Sequence, residues 1–262
     1  MTPTSHIREF FVLAGGLLSL IVVIYLVLGL TVDLIVPHIS IDLENKMGVH
    51  FFQSMGGKDV DSQRGYYVQS LIDDLRERCA KLPYRFKIHV RKASTVNAMA
   101  LPGGHVIVFT GLLDKMSSEN ELAFVLAHEM GHYAHRDHLR AGGRAVVLMT
   151  FSALLFGADS SVSKILSHTL NITELSFSRK QETMADEFAL ETINCAYGHV
   201  GGATDFFEKI PKEQDTGKIG HYFASHPETR SRISHLNNII RSRGFNLAKR
   251  KPLPKAIWNF IP

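Results

Sequence analysis

The chain has 262 residues, enough for one sizeable domain plus an appendage. Its net charge of +4 is scattered apart from one short run, Lys249-Arg250-Lys251, which excludes the dense basic stripe of a nucleic-acid-binding module. Two cysteines without a CxxC exclude a thiolate zinc or redox motif, whereas the 14 histidines include four between 121 and 138.

The first element is apolar. Residues 10–32 carry no charge, and a helix of that length reaches across a hydrocarbon core of about 30 Å. The run is too long for a cleaved signal peptide and has no convincing cleavage site, so it reads as an uncleaved transmembrane anchor. Arg8 stands before it and Asp33, Asp42 and Glu44 after it. That asymmetry points to a cytoplasmic N-terminus and an extracytoplasmic catalytic part.

Apolar residues at Val60, Val68, Leu71, Ile72, Leu75, Cys79 and Leu82 have helical spacing, and Pro83 stops them. Phe86, Ile88 and Val90 alternate with polar neighbours, as in a strand. Residues 96–101 and 105–110 read as two strands around Pro102-Gly103-Gly104. Ser118 with Glu121 is a capping box opening a long helix. A second apolar stretch, residues 145–157, is short for a span and fits a buried helix or an interfacial segment. A further helix is expected over 178–195. Pro211 ends a short helix, and Pro227 opens a last one through about Arg243. Helix, then strands, then helices make the class α+β. The two cysteines, Cys79 and Cys195, could pair in an oxidising compartment; the reading leans towards free or buried thiols.

The chemistry centres on His128-Glu129-Met130-Gly131-His132. Histidines four apart share one helix face and can bind one Zn²⁺. Glu129, about 100° around the helix, misses the metal yet can reach a water beside it as general base. Gly131 lets another backbone come close. A catalytic zinc needs a third protein ligand. Glu182 is the candidate, with Asp186 four residues on able to orient a ligating histidine. The alternative is a surface face pairing with Arg179 or Lys180. His135 and His138 are expected to be solvated near the helix end. His226, in Ser225-His226-Pro227, stands at a helix entry where a side chain can point into a cleft; a simple cap is the alternative.

Four segments, NAMALPGGHVIVFTGLL, HEMGHYAHRDH, SRKQETMAD and SHPETR, occur in the order seen in the zinc metallopeptidases related to HtpX, the mitochondrial Oma-type proteases and the CAAX prenyl proteases. The chain resembles that family from about 97 to 232. The resemblance implies a mainly helical gluzincin domain with a small sheet and a substrate-binding edge strand near the hairpin. It implies one zinc per chain on His128, His132 and Glu182, Glu129 as base, Asp186 behind the ligands, and His226 beside the metal. The chain departs from HtpX in lacking several clear spans. It departs from the outer-membrane-assembly members in lacking a helical-repeat domain. The CAAX-processing members are multi-span, so prenyl substrates are not expected.

The expectation is an anchor over 1–37 and a zinc metallopeptidase domain over 38–262, on the periplasmic side of a bacterial inner membrane. Its partners are the bilayer, through the N-terminal helix, and a polypeptide bound as an added strand; no nucleic acid is expected. The expected reaction is hydrolysis of internal peptide bonds in unfolded, damaged or membrane-associated proteins. His226 would serve as oxyanion donor or as occupant of the open zinc position. The rival reading is a chaperone-like assembly factor with a rarely used site. Sequence sets neither the physiological substrate nor the oligomeric state.

Overall fold

A computed structural model describes residues 6–55, 62–164, 177–209, 225–226 and 229–254. The described chain divides into two compact units, Met1–His38 with Arg140–Ile172, and Ile39–Leu139 with Thr173–Pro262.

In the first unit, helix α1 covers His6–Ile35 and contains the apolar run. By length and composition two helices could cross a membrane: α1, extended to His38, and α6, Asp137–Phe156. Of the two alternatives read for residues 145–157, a buried helix or an interfacial segment, the exposure of this helix excludes the first. Val146, Leu154, Leu155 and Phe156 are exposed on it. Arg140 and Arg144 pair with Asp33 at 3.5 and 2.7 Å.

The second unit is built around a buried helix. Helices α2 (Ile41–Ser54) and α3 (Ser62–Leu75) lead to a π-helical turn, Arg76–Ala80, and then to strand β1, Lys87–Arg91. The helical spacing over 59–82 is therefore real from residue 62, but its last turn widens, and Lys81 closes it at φ 49°. Strands β2 (Ala98–Leu101) and β3 (His105–Phe109) form the expected hairpin, with Gly103 at φ 74° in the turn. Gly103 also lies so close to Asn45 of α2 that a Cβ would sit 2.5 Å from its Cα, which glycine alone permits. The sheet order is β1-β3-β2, with β1 parallel and β2 antiparallel to β3.

After the short α4 (Thr110–Leu113), α5 runs from Glu119 to Ala134 and is buried from Glu119 through Tyr133. Helix α7 (Arg179–Tyr197) packs along it more extensively than any other described pair of elements. A short helix, α8 (Asp205–Glu208), and the amphipathic α9 (Thr229–Ser242) complete this layer. One sheet face, with Ile88, Val90, Ala98, Val106 and Val108, joins α3, α5 and α9 in the main core. The other, with Met99, Leu101 and Ile107, packs on Met55 at the end of α2. Pro211 and Pro227, expected to end and open helices, lie outside the described residues.

Cys79 and Cys195 form a disulfide with Cα atoms 5.8 Å apart, correcting the leaning towards thiols. It ties the π turn to the end of α7 across 116 residues. Spacing in the sequence could not place two residues so distant along the chain side by side.

Candidate metal centre

The active-site helix starts on a near-complete capping box. Ser118 Oγ accepts from the Glu121 N–H at 3.2 Å, but the Glu121 carboxylate accepts from Ser117, one residue before the cap. Lys209 then reaches Glu121 at 2.6 Å and balances its buried charge. The backbone N–H of Glu119 donates to Lys251 O, so the C-terminal segment supplies a further partner for the helix start.

From α5, His128, Glu129 and His132 turn towards α7, which brings Glu182 and Asp186, and towards His226 just before α9. All six are buried. A hydrogen bond from Phe177 N–H to Ser225 O holds the His226 segment beside the entry to α7. Ser178 caps that helix with the full reciprocal box to Gln181. Ligand atoms of His128, His132, Glu182 and His226 all lie within 4.8 Å of one another. His128 Nε2 is 3.1 Å from His132 Nε2 and 3.2 Å from His226 Nδ1. Glu182 Oε1 is 3.0 Å from His226 Nδ1 and 3.5 Å from His132 Nε2.

The far side of each histidine is held by a carboxylate, which can only accept. His128 Nδ1–H therefore donates to Asp186 Oδ1 at 2.9 Å, and His132 Nδ1–H to Asp137 Oδ2 at 3.0 Å. Both Nε2 atoms are thereby left facing the cluster. Asp137, steadied by Gln181 Nε2 at 2.8 Å, was not foreseen from the sequence. Its signal was present in the histidines themselves, since each ligating imidazole needs such a partner.

Arg232 was also missed. Its guanidinium grips both Asp186 oxygens, Nη2 to Oδ1 at 2.6 Å and Nε to Oδ2 at 2.8 Å, and pairs with Glu182 Oε2 at 2.6 Å. It lies over the Phe207 ring at 4.6 Å. Charge balance could have found it: three buried carboxylates on two helices demand a cation.

The environments separate the groups. Burial, reinforced by Arg232, pushes the His128 pKa down to about 4. Burial opposes charge on His132 too, but Asp137 and Glu182 outweigh it and hold its pKa up at about 9. Burial likewise works to raise Glu182 and Asp186. For Glu182 the surrounding histidines win, and for Asp186 Arg232 wins, so both stay well below the usual carboxylate range. Glu129 is raised, chiefly by burial. Neither of its oxygens has a hydrogen-bond partner among the described residues, and His226 Nε2 lies 3.6 Å from its Oε1.

This donor set fits zinc. Four ligands about 2.0–2.1 Å from a tetrahedral ion stand roughly 3.3 Å apart; with either oxygen of Glu182 counted, five of the six pairs here lie 3.0 to 3.6 Å apart, and all four ligand atoms fall within 4.8 Å of one another. Two imidazole Nε2 atoms and a carboxylate, each held from behind, match the ligand types of a catalytic zinc site.

His135 and His138 stay outside the cluster. His138 is buried, not solvated as expected, and its Nε2 lies 2.8 Å from Glu44 Oε1 of α2. His135 is half-buried and donates from Nδ1 to Gly131 O at 2.8 Å.

With this geometry established, similarity to known proteins becomes decisive. The model of peptidase family M48 matches residues 62–240. This chain belongs to peptidase family M48. It is similar to the mitochondrial metalloendopeptidase OMA1 of Schizosaccharomyces pombe, 32% identical over 211 residues that make up 74% of this chain and 60% of the relative. It is similar to metalloprotease LoiP of Escherichia coli, 29% identical over 62% of this chain and 65% of the relative. It is also similar to the beta-barrel assembly-enhancing protease of Yersinia pestis, 24% identical over 76% of this chain and 44% of the relative. The chain spans less than two thirds of the length of each of these proteins. The family model covers all four donors, Glu129, and the helices that carry them.

Proposed function

We propose that the protein is a membrane-anchored zinc endopeptidase that rests in a latent state. The observation that carries this reading is Glu129, a fully buried carboxylate without a hydrogen-bond partner among the described residues, beside a four-donor cluster. His128, His132 and Glu182 would hold the zinc, whose Lewis acidity would polarise a scissile carbonyl and acidify a water. Glu129 takes the proton of the attacking water and delivers it to the leaving amine; its raised pKa suits both transfers. Asp186, Asp137 and Arg232 keep the ligands in place.

The polypeptide substrate adds to the outer edge of β2. Phe109 N–H donates to Asn97 O, so by antiparallel alternation the backbone groups of Ala98 and Ala100 point away from β3, where Ala100 is half-buried and Ala98 is buried. The outer edge of β1 is closed by Gln69, which donates to Phe86 O at 3.0 Å and accepts from Ile88 N–H at 2.8 Å. Recognition through backbone groups tolerates many sequences, which suits unfolded, damaged or membrane-associated proteins.

The anchor is the segment 1–37, with α1 as its span, and the peptidase domain covers 38–262. The Cys79–Cys195 disulfide supports an oxidising, extracytoplasmic compartment such as the periplasmic side of an inner membrane. Latency rests on His226. Its Nδ1 faces His128 and Glu182 while its Nε2 faces Glu129, so the imidazole stands where water and substrate must enter. Once displaced, its N–H can donate to the developing oxyanion. The same latency favours, as a second reading, an assembly factor that seldom cleaves. Full-length protein in detergent, incubated with an unfolded protein with and without a chelator, separates the two. Chelator-sensitive cleavage at internal bonds supports the peptidase, and binding without cleavage supports the assembly factor.

A further inference from the structure

We propose that Phe177 is the positioning residue that keeps His226 in the metal centre. The inference rests on the reading of His226 as the resting occupant of the fourth position, and it names what holds the imidazole there.

The Phe177 ring stacks on His132, with centroids 3.9 Å apart and planes at 20°, and stands 5.5 Å from the His226 ring at 43°. One aromatic side chain thus touches a zinc ligand on one hand and the occupant of the fourth position on the other. Its backbone does the same work: Phe177 N–H donates to Ser225 O at 3.1 Å, fixing the residue directly before His226. Phe177 is itself held by a rigid frame. Ser178 follows it and caps α7 in a reciprocal box with Gln181, and Gln181 reaches Asp137, the partner of His132. The frame includes Glu182, in the first turn of the same helix.

His226, by contrast, belongs to the 225–226 segment. Its ring is 99% buried, and among the described residues its aromatic contacts are His128, His132 and Phe177. Two of these are ligands that must stay. Phe177, which is only half-buried, is the neighbour that can yield. Removing its ring takes away one of the contacts that favour the inward position of His226, without removing a ligand or the base.

The test uses full-length protein loaded with Co²⁺, whose visible absorption reports the ligand set, together with the rate of metal release to a chelator. Wild type should give the strong bands of a four-coordinate site with three histidines, and H226A the weaker spectrum of a site containing water. F177A should move towards the H226A spectrum and release metal about two- to tenfold faster, the change one aromatic contact supports. F177Y should stay wild-type-like, and F177A/H226A should match H226A alone. If F177A keeps the wild-type spectrum and release rate while H226A differs, Phe177 is not the clasp. Additive effects in the double variant, or loss of metal from F177A with a spectrum unlike that of H226A, overturn it too, since the ring would then serve His132 alone. If H226A keeps the wild-type spectrum, His226 is no occupant, and the latency reading fails along with the clasp. Should F177A not fold, F177L keeps the apolar bulk without a ring face and carries the same comparison.

Discussion

Gly131 of α5 and Ala185 of α7 meet at backbone distance: a Cβ on Gly131 would lie 2.8 Å from Ala185 Cα and 3.1 Å from its carbonyl oxygen. This closest approach falls between the histidine pair on one helix and Glu182 and Asp186 on the other, so the helix spacing sets the reach of the donors. G131A must push α7 outward. The expected cost is about 1–3 kcal/mol of stability, the usual penalty for overpacking a tight interior. A weaker zinc site should accompany it. Urea unfolding and metal content of the purified variant check both; wild-type values for each would show that the helices can slide apart freely.

Glu129 contributes no ligand atom to the cluster, and its oxygens lack hydrogen-bond partners among the described residues. E129Q therefore removes the base and little else. Zinc content and melting temperature should remain near wild type while hydrolysis of an unfolded protein falls below detection. Turnover comparable to wild type in a zinc-replete variant would require another base.

Arg232 serves two buried carboxylates at once. R232M keeps the length of the side chain and deletes the cation, leaving Glu182 and Asp186 to share a low-dielectric site without their counter-charge. Breaking a buried pair from one side costs about 3–5 kcal/mol. R232K should recover only part of this, because an ammonium cannot bind both Asp186 oxygens in the planar fork of a guanidinium. Chemical denaturation of metal-free protein isolates the effect from zinc binding. Equal midpoints for wild type and R232M would mean that the carboxylates are protonated in the metal-free fold.

How much of this was legible in the sequence depended on distance along the chain. The pair His128 and His132, the turn at Gly103 and the cap at Ser118 are local patterns, and the structure places them as spacing and turn chemistry require. Glu182 and Asp186 were readable as a shared helix face, but only their burial, at 1% and 0% exposure, decides against a surface role. Asp137, Arg232 and Phe177 act through contacts across 5, 46 and 45 residues, and no periodicity reports such pairs. His138 misled for the same reason. It follows the active-site helix, where solvent is the default, yet Glu44 from 94 residues away covers it. The disulfide is the extreme case, a contact fixed by how the π turn meets the end of α7.

The two ligating histidines differ in charge before metal arrives, and this predicts a proton count. With its pKa held up at about 9 by Asp137 and Glu182, His132 is protonated at pH 7 in the metal-free protein; His128, pushed down to about 4, is neutral. Zinc needs the Nε2 lone pair of both. Binding at pH 7 should therefore expel about one proton per zinc, taken from His132. The sign follows from the raised pKa: as pH falls below 9, the proton competes with the metal, and affinity should drop by about tenfold per pH unit. Calorimetric titration with zinc in two buffers of different ionisation enthalpy counts the protons directly. D137N should reduce the count towards zero, because replacing the carboxylate at His132 Nδ1 with a neutral amide lowers the pKa that holds the proton. A wild-type count already near zero at pH 7 would mean that Asp137 and Glu182 fail to overcome the burial of that ring.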